Sequence, residues 1–121
     1  MKVVITSSAT TLADPIDKHF GRAHFFILAD TETGTGIAHD NKQNLHAAQG
    51  AGIQSAETVA ALGAEAVITG SVGPKAFRAL QAASIQMFLV DQVCPGTEAL
   101  RRFKDGELTE LDAANGESHW V

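Results

Sequence analysis

The chain has 121 residues, 45% of them apolar and 19% charged, with a formal net charge of −5. That length suits a single domain spanning 1–121, and that apolar fraction argues against disorder throughout. The acidic balance speaks against a broad cationic surface for DNA or RNA, yet leaves room for a local pocket that takes an anionic small ligand.

The single cysteine allows no internal disulfide, which fits a reducing cytoplasm. The opening stretch MKVVITSSATTLADP lacks a leader pattern, and no run reaches the length of a membrane span. A cytoplasmic protein with no nucleic-acid and no membrane partner is expected.

KVVITS, residues 2–7, is a β-branched run and predicts a buried first strand. Residues 8–24 are polar and too long for an ordinary connection, and long loops in compact domains are often functional. FFILAD, 25–30, predicts the second strand, and the turn TETGTG leads into a weaker third strand, GIAHD, 36–40. So short a turn predicts an antiparallel hairpin. After the polar loop NKQNLHAAQG, a helix is expected from about Gly52 to Leu62, with Ala56 and Val59 at helical spacing and Gly63 as its stop.

EAVITG then predicts a fourth strand, and SVGPKAFRALQAAS a second helix with Pro74 in its first turn. IQMFLV predicts a fifth strand, and PGTEALRRFKDGEL a third helix with Thr97 as N-cap and Asp105–Gly106 as its end. Residues 107–121 read as a polar tail whose one large apolar group is Trp120. The expected fold is α/β: a mixed five-stranded sheet, an antiparallel hairpin joined to a parallel βαβ unit, packed with helices in two or three layers.

In such sheets ligands gather beyond the carboxyl ends of the parallel strands. TSSAT, TGSVG and DQVCPGT stand there. Gly70, Ser71, Val72 and Gly73 let the backbone come close to a ligand, and Gly50 and Gly52 open the first helix in the same way. A tight strand-to-helix turn explains 70–73 equally simply and is the commoner case on spacing alone. Arg22 is a candidate fixed cation, or the partner of Asp14 or Asp17 in a surface ion pair.

His19, His24 and His46 could supply nitrogen to a soft or borderline metal, and His39 flanks the second loop, but no HxH, HExxH or CxxC pattern occurs. Cys94 before Pro95 and Gly96 is either a metal-binding thiol or a small half-buried strand-end residue. No GxSxG elbow or nucleophile–base pair is evident, and neither KVVITS nor AVIT carries the acid that a two-metal nuclease needs. No catalytic residue is assigned, and no enzyme is expected.

The segment DKHFGRAHFFILAD, then Asn41, then GAGIQSAETVAALGAEAVITGSVGPKAFRALQAASIQMFLV and GTEALRRFKDGEL strongly resembles the dinitrogenase iron–molybdenum cofactor biosynthesis family over roughly residues 2–111. The resemblance implies a ribonuclease H-like fold without nuclease acids. It implies binding and carriage of anionic metal–sulfur clusters or iron–molybdenum cofactor precursors, generally without catalysis. A small stand-alone chain is also similar to the orange-protein branch of anaerobes, which holds a sulfide-bridged molybdenum–copper cluster.

By this resemblance the binding set is Gly21, Arg22, Asn41, Gly50, Gly52 and Gly70 to Gly73, with His19, His24, His46 and Cys94 as metal candidates. Many members have a histidine just before the first-helix glycines, where this chain has Gln49. That departure favours cradling by backbone N–H groups and Arg22. Partners implied are cofactor-assembly proteins or ATPases; an interaction module regulating such an enzyme without its own cluster is the alternative.

Overall fold

The computed structural model describes residues 1–41 and 51–115. His46, Gln49, Gly50 and Trp120 lie outside the described residues. The strands are β1 (Lys2–Ser7), β2 (Phe25–Asp30), β3 (Gly36–Asp40), β4 (Ala66–Thr69), β5 (Gln86–Leu89) and β6 (Thr109–Glu110). The helices are α1 (Ala51–Ala61), α2 (Pro74–Ala82) and α3 (Gly96–Lys104), with a 3-10 turn at Phe20–Arg22.

One mixed sheet runs in the order β3-β2-β1-β4-β5-β6. β2 pairs antiparallel with β1 and β3, whereas β1, β4 and β5 are parallel, with Ile5 beside Ile68 and Ile68 beside Phe88. Alternation along the strands sends side chains to two faces. Val4, Val67 and Met87 pack with Ala56 and Val59 of α1 and Ala76 and Leu80 of α2. Val3, Ile5 and Ile68 pack with Ala99 and Leu100 of α3 and with Ile16 of the long loop. Three layers result, with β1 and β4 fully buried apart from Lys2.

The α/β class is as expected, but the sheet has six strands rather than five. Residues 107–115 are not a free tail. Thr109 and Glu110 pair antiparallel with Leu89 and Phe88, and the Leu111 N–H donates to the Met87 carbonyl at 2.7 Å. The outer edge of β5 would otherwise leave backbone groups unpaired, and a short polar strand covers it.

Thr97 is not the N-cap of α3. Pro95 holds that position with no side-chain cap, because the long loop supplies acceptors: Gly96 N–H donates to the Asp14 carbonyl at 3.0 Å and Thr97 N–H to the Leu12 carbonyl at 2.8 Å. Gly63 after α1 and Gly106 after α3 have φ of 81° and 73°, the left-handed conformation that ends a helix.

This topology gathers the loops after β1, β4 and β5, the start of β2 and the end of β3 at one edge. The loop after β4 turns to α2 on one face, and the loop after β5 turns to α3 on the other. Their divergence opens a crevice between Gly70 and Val90, the place where open α/β sheets bind ligands.

Candidate functional site

Asp17 anchors the polar stretch before β2. Its N–H donates to the Thr6 carbonyl at 2.9 Å, and its own carbonyl accepts the Thr6 hydroxyl at 2.6 Å. Thr6 and Thr69 are wholly buried with their hydroxyls 2.9 Å apart, so β1 and β4 together fix where Asp17 sits. The Asp17 carboxylate accepts from the backbone N–H of His19 at 3.3 Å and of His24 at 3.4 Å, and lies 3.2 Å from His24 Nδ1. One carboxylate therefore shapes the whole 17–24 turn.

Phe20, 1% exposed, stacks on Phe26 at 5.6 Å and pins the 3-10 turn to the sheet. Gly21 faces α1 backbone to backbone: a Cβ there would lie 3.0 Å from Gly52 Cα. A Cβ on Gly52 would in turn lie 2.9 Å from the Ala76 Cβ of α2. These glycines serve close packing of turn, α1 and α2. Arg22 is exposed at the end of the turn.

Asn41 is fully buried. Its Nδ2 donates to the Ala23 carbonyl at 2.9 Å and approaches the Ser55 hydroxyl at 3.4 Å; the Ser55 hydroxyl donates to the Gly21 carbonyl at 3.1 Å. The Asn41 N–H reaches the His24 carbonyl at 3.0 Å. Asn41 thus ties β3, α1 and the 21–24 backbone together from inside.

The loop after β4 meets the 17–24 stretch directly. Ser71 N–H donates to the Lys18 carbonyl at 2.7 Å, and Phe20 N–H donates to the Ser71 carbonyl at 3.1 Å. The Ser71 hydroxyl reaches the same Lys18 carbonyl at 3.2 Å, and His19 Nδ1 lies 3.1 Å from that hydroxyl. Gly70 is held at the Lys18 backbone, where a Cβ would sit 2.8 Å from the Lys18 carbonyl oxygen. Beside this junction is a cavity of about 180 Å³, lined by Lys18, His19, Gly70, Ser71, Val90 and Asp91 among others. A second, of about 420 Å³, shares Gly70, Val90 and Asp91 and runs toward Arg102 and Asn115.

Asn115 was not legible as a site residue. Its Oδ1 accepts the Val72 N–H at 2.8 Å, its Nδ2 donates to the Gly70 carbonyl at 3.3 Å, and its N–H donates to the Val72 carbonyl at 3.2 Å. Two of the backbone donors expected for a ligand, at Ser71 and Val72, therefore have protein acceptors. Gly73 is the N-cap of α2 in extended conformation, with open space where a Cβ would be.

Cys94 packs on the α3 face beside Leu12, Phe88 and Phe103. Burial pushes its thiol above the ordinary range, and neighbouring Glu98 and Asp91 add to this against Arg102. His39 stands in β3 opposite Phe26. So His19, Gly70 and Ser71 come together at the crevice with Lys18, while Gly21, Gly52 and Asn41 form the packing behind it. Among the described residues no three His, Cys, Asp or Glu side chains gather as a metal-ion set.

The family model described as dinitrogenase iron–molybdenum cofactor matches residues 1–106. Among solved structures, the apo form of the orange protein of Desulfovibrio gigas superposes with a TM-score of 0.92 at 35% identity, over 95% of this chain and 96% of that one. A NifB-like Thermotoga protein superposes with a TM-score of 0.82 at 30% identity, over 97% and 98%. An uncharacterised protein of Methanocaldococcus jannaschii is 25% identical, over 93% of this chain and all of its own length.

Proposed function

This chain belongs to the dinitrogenase iron–molybdenum cofactor family, and from that premise we propose that it binds and carries an anionic molybdenum–sulfide cluster, with copper, as a non-enzymatic single-domain carrier. The observation that carries the reading is the junction of His19 with Ser71 at the mouth of the 180 Å³ cavity beside Lys18. The likeness to the orange protein over nearly the whole of both chains supports a cofactor-related carrier role.

The residues at this edge suit such a cargo. Lys18 and the exposed Arg22 oppose negative charge on a chain that is acidic overall. The imidazoles of His19 and His24 stand on a turn whose backbone Asp17, Thr6 and Ser71 hold in place. Lys18 and His19 line the crevice, and Arg22 and His24 stand further along the same turn. They suit a preassembled cluster that brings its own sulfides. Loading in the cytoplasm and handover to cofactor-assembly proteins or ATPases follow from the same reading.

The test is reconstitution of the purified chain with tetrathiomolybdate and copper, followed by visible absorption and metal analysis. Stoichiometric uptake of molybdenum and copper is expected. Absence of stoichiometric uptake overturns the reading.

A further inference from the structure

We infer that Asn115 is a placeholder at the cargo site: its side-chain amide holds the Val72 N–H and the Gly70 carbonyl until an anionic sulfide cargo takes the Val72 N–H and releases residues 112–115. This rests on the carrier reading above and deepens it.

Val72 is wholly buried, and a buried N–H without an acceptor is costly. Asn115 Oδ1 meets that need at 2.8 Å, while its Nδ2 donates to the Gly70 carbonyl at 3.3 Å. Both partners are backbone groups with fixed roles, since the N–H only donates and the carbonyl only accepts. The Asn115 amide therefore has one orientation here. Its oxygen occupies a backbone donor of the loop after β4, and Asn115 and Gly70 together line the 420 Å³ cavity. That cavity adjoins the crevice of Lys18 and His19 through Gly70, Val90 and Asp91.

The same cavity holds a cation without a close carboxylate. Arg102 is 26% exposed, with Asp91 at 3.7 Å and Glu107 at 3.9 Å, both beyond hydrogen-bond reach. Glu107 is hydrogen-bonded by Arg101 instead, at 3.2 Å, and Asp91 is 81% exposed and well solvated. The field of Arg102 favours an anion in this cavity over a neutral amide.

Asn115 also sits where release is easy. Residues 112–115 are exposed, and 112–114 make no hydrogen bond among the described residues. The segment is held at its near end by the two exposed residues of β6 and by the Leu111 N–H, and at its far end, among the described residues, by Asn115. Short exposed segments with few buried contacts open at low free energy. On release the Asn115 amide and the Gly70 carbonyl reach water, because neither residue is buried. Only the Val72 N–H then needs a new acceptor. A charged acceptor makes the stronger hydrogen bond, so the exchange selects an anion over a neutral molecule.

The experiment uses the full chain and tetrathiomolybdate without copper. By absorption titration Asn115→Ala is expected to bind tetrathiomolybdate about threefold to tenfold more tightly than the parent, because one net hydrogen bond no longer has to be broken. An unfolded variant loses affinity, so a gain does not come from misfolding. The second measurement needs no variant. In the nitrogen-15-labelled parent, saturation with tetrathiomolybdate is expected to move the Asn115 side-chain amide signals and to speed amide exchange at Leu111 and Asn115, while β1 and β4 keep their protection. Equal or weaker binding by a folded Asn115→Ala overturns the inference. So do Asn115 signals that stay in place at saturation. In both cases uptake by the parent leaves the carrier reading standing, whereas no uptake by parent or variant overturns the two together.

Discussion

A methyl group added to Gly21 would lie 3.0 Å from the Cα and 3.1 Å from the backbone nitrogen of Gly52, so these two glycines set the gap between the 3-10 turn and α1. Both neighbours are backbone atoms, which yield only if the helix moves. Gly21→Ala is expected to lower stability by about 1–3 kcal/mol, the range for overpacking. Urea denaturation checks this. A midpoint equal to that of the parent would show that α1 shifts freely.

Asn41→Ala removes a wholly buried amide and leaves the Ala23 carbonyl without its donor. Unsatisfied buried polar groups cost roughly 1–3 kcal/mol each. The expected result is a drop of that size in unfolding free energy, together with loss of order in the 19–24 turn seen by backbone NMR. Unchanged stability would show that Asn41 is not the internal tie between β3, the turn and α1.

Asn115→Ala should free the Val72 N–H. Amide exchange at Val72 is expected to accelerate, while the buried strands β1 and β4 keep their protection. Exchange at Val72 as slow as in the parent would show that Asn115 does not cover this loop in solution.

The Cys94 thiol should react slowly. Its pKa lies above the ordinary value because burial disfavours the thiolate, so at a given pH less of it is ionised in the folded chain than in the unfolded one. Iodoacetamide alkylation at pH 8 is expected to be slower in the native protein than in urea, and to speed up as pH rises. Native alkylation faster than in urea contradicts this. For stability the sign is the same: folding is insensitive to this group below the unfolded thiol's pKa and weakens as pH rises past it.

Arg22→Ala tests the electrostatic part of the carrier reading. Because Arg22 is exposed, any surface interaction it loses should change stability by no more than about 1 kcal/mol. Uptake of tetrathiomolybdate and copper should weaken, and more so at low salt. Uptake equal to the parent's removes Arg22 from the binding set.

Much of the fold was legible because it rests on apolar runs and on glycines that readily adopt the positive φ of a helix end. KVVITS, FFILAD and AVIT appear as β1, β2 and β4, with the hairpin paired as its short turn required. Gly63 and Gly106 end helices by their positive φ. The sixth strand was not legible, since two exposed polar residues show no alternation. Thr97 misled because capping chemistry is local, whereas the acceptors that cap α3 arrive from residues 12 and 14.

The sequence by itself determined the family, the α/β order and the edge at which the glycine-bearing loops emerge, because hydrophobic period and turn chemistry are local properties of the chain. Only the tertiary structure decided what the polar residues at that edge do. His19 meets Ser71 across 52 positions, Ser71 is met by Lys18 across 53, and Asn115 meets Val72 across 43. A polar side chain carries no periodicity that reveals its partner. Its direction is settled by the buried strands β1 and β4, which bring distant loops within hydrogen-bond reach.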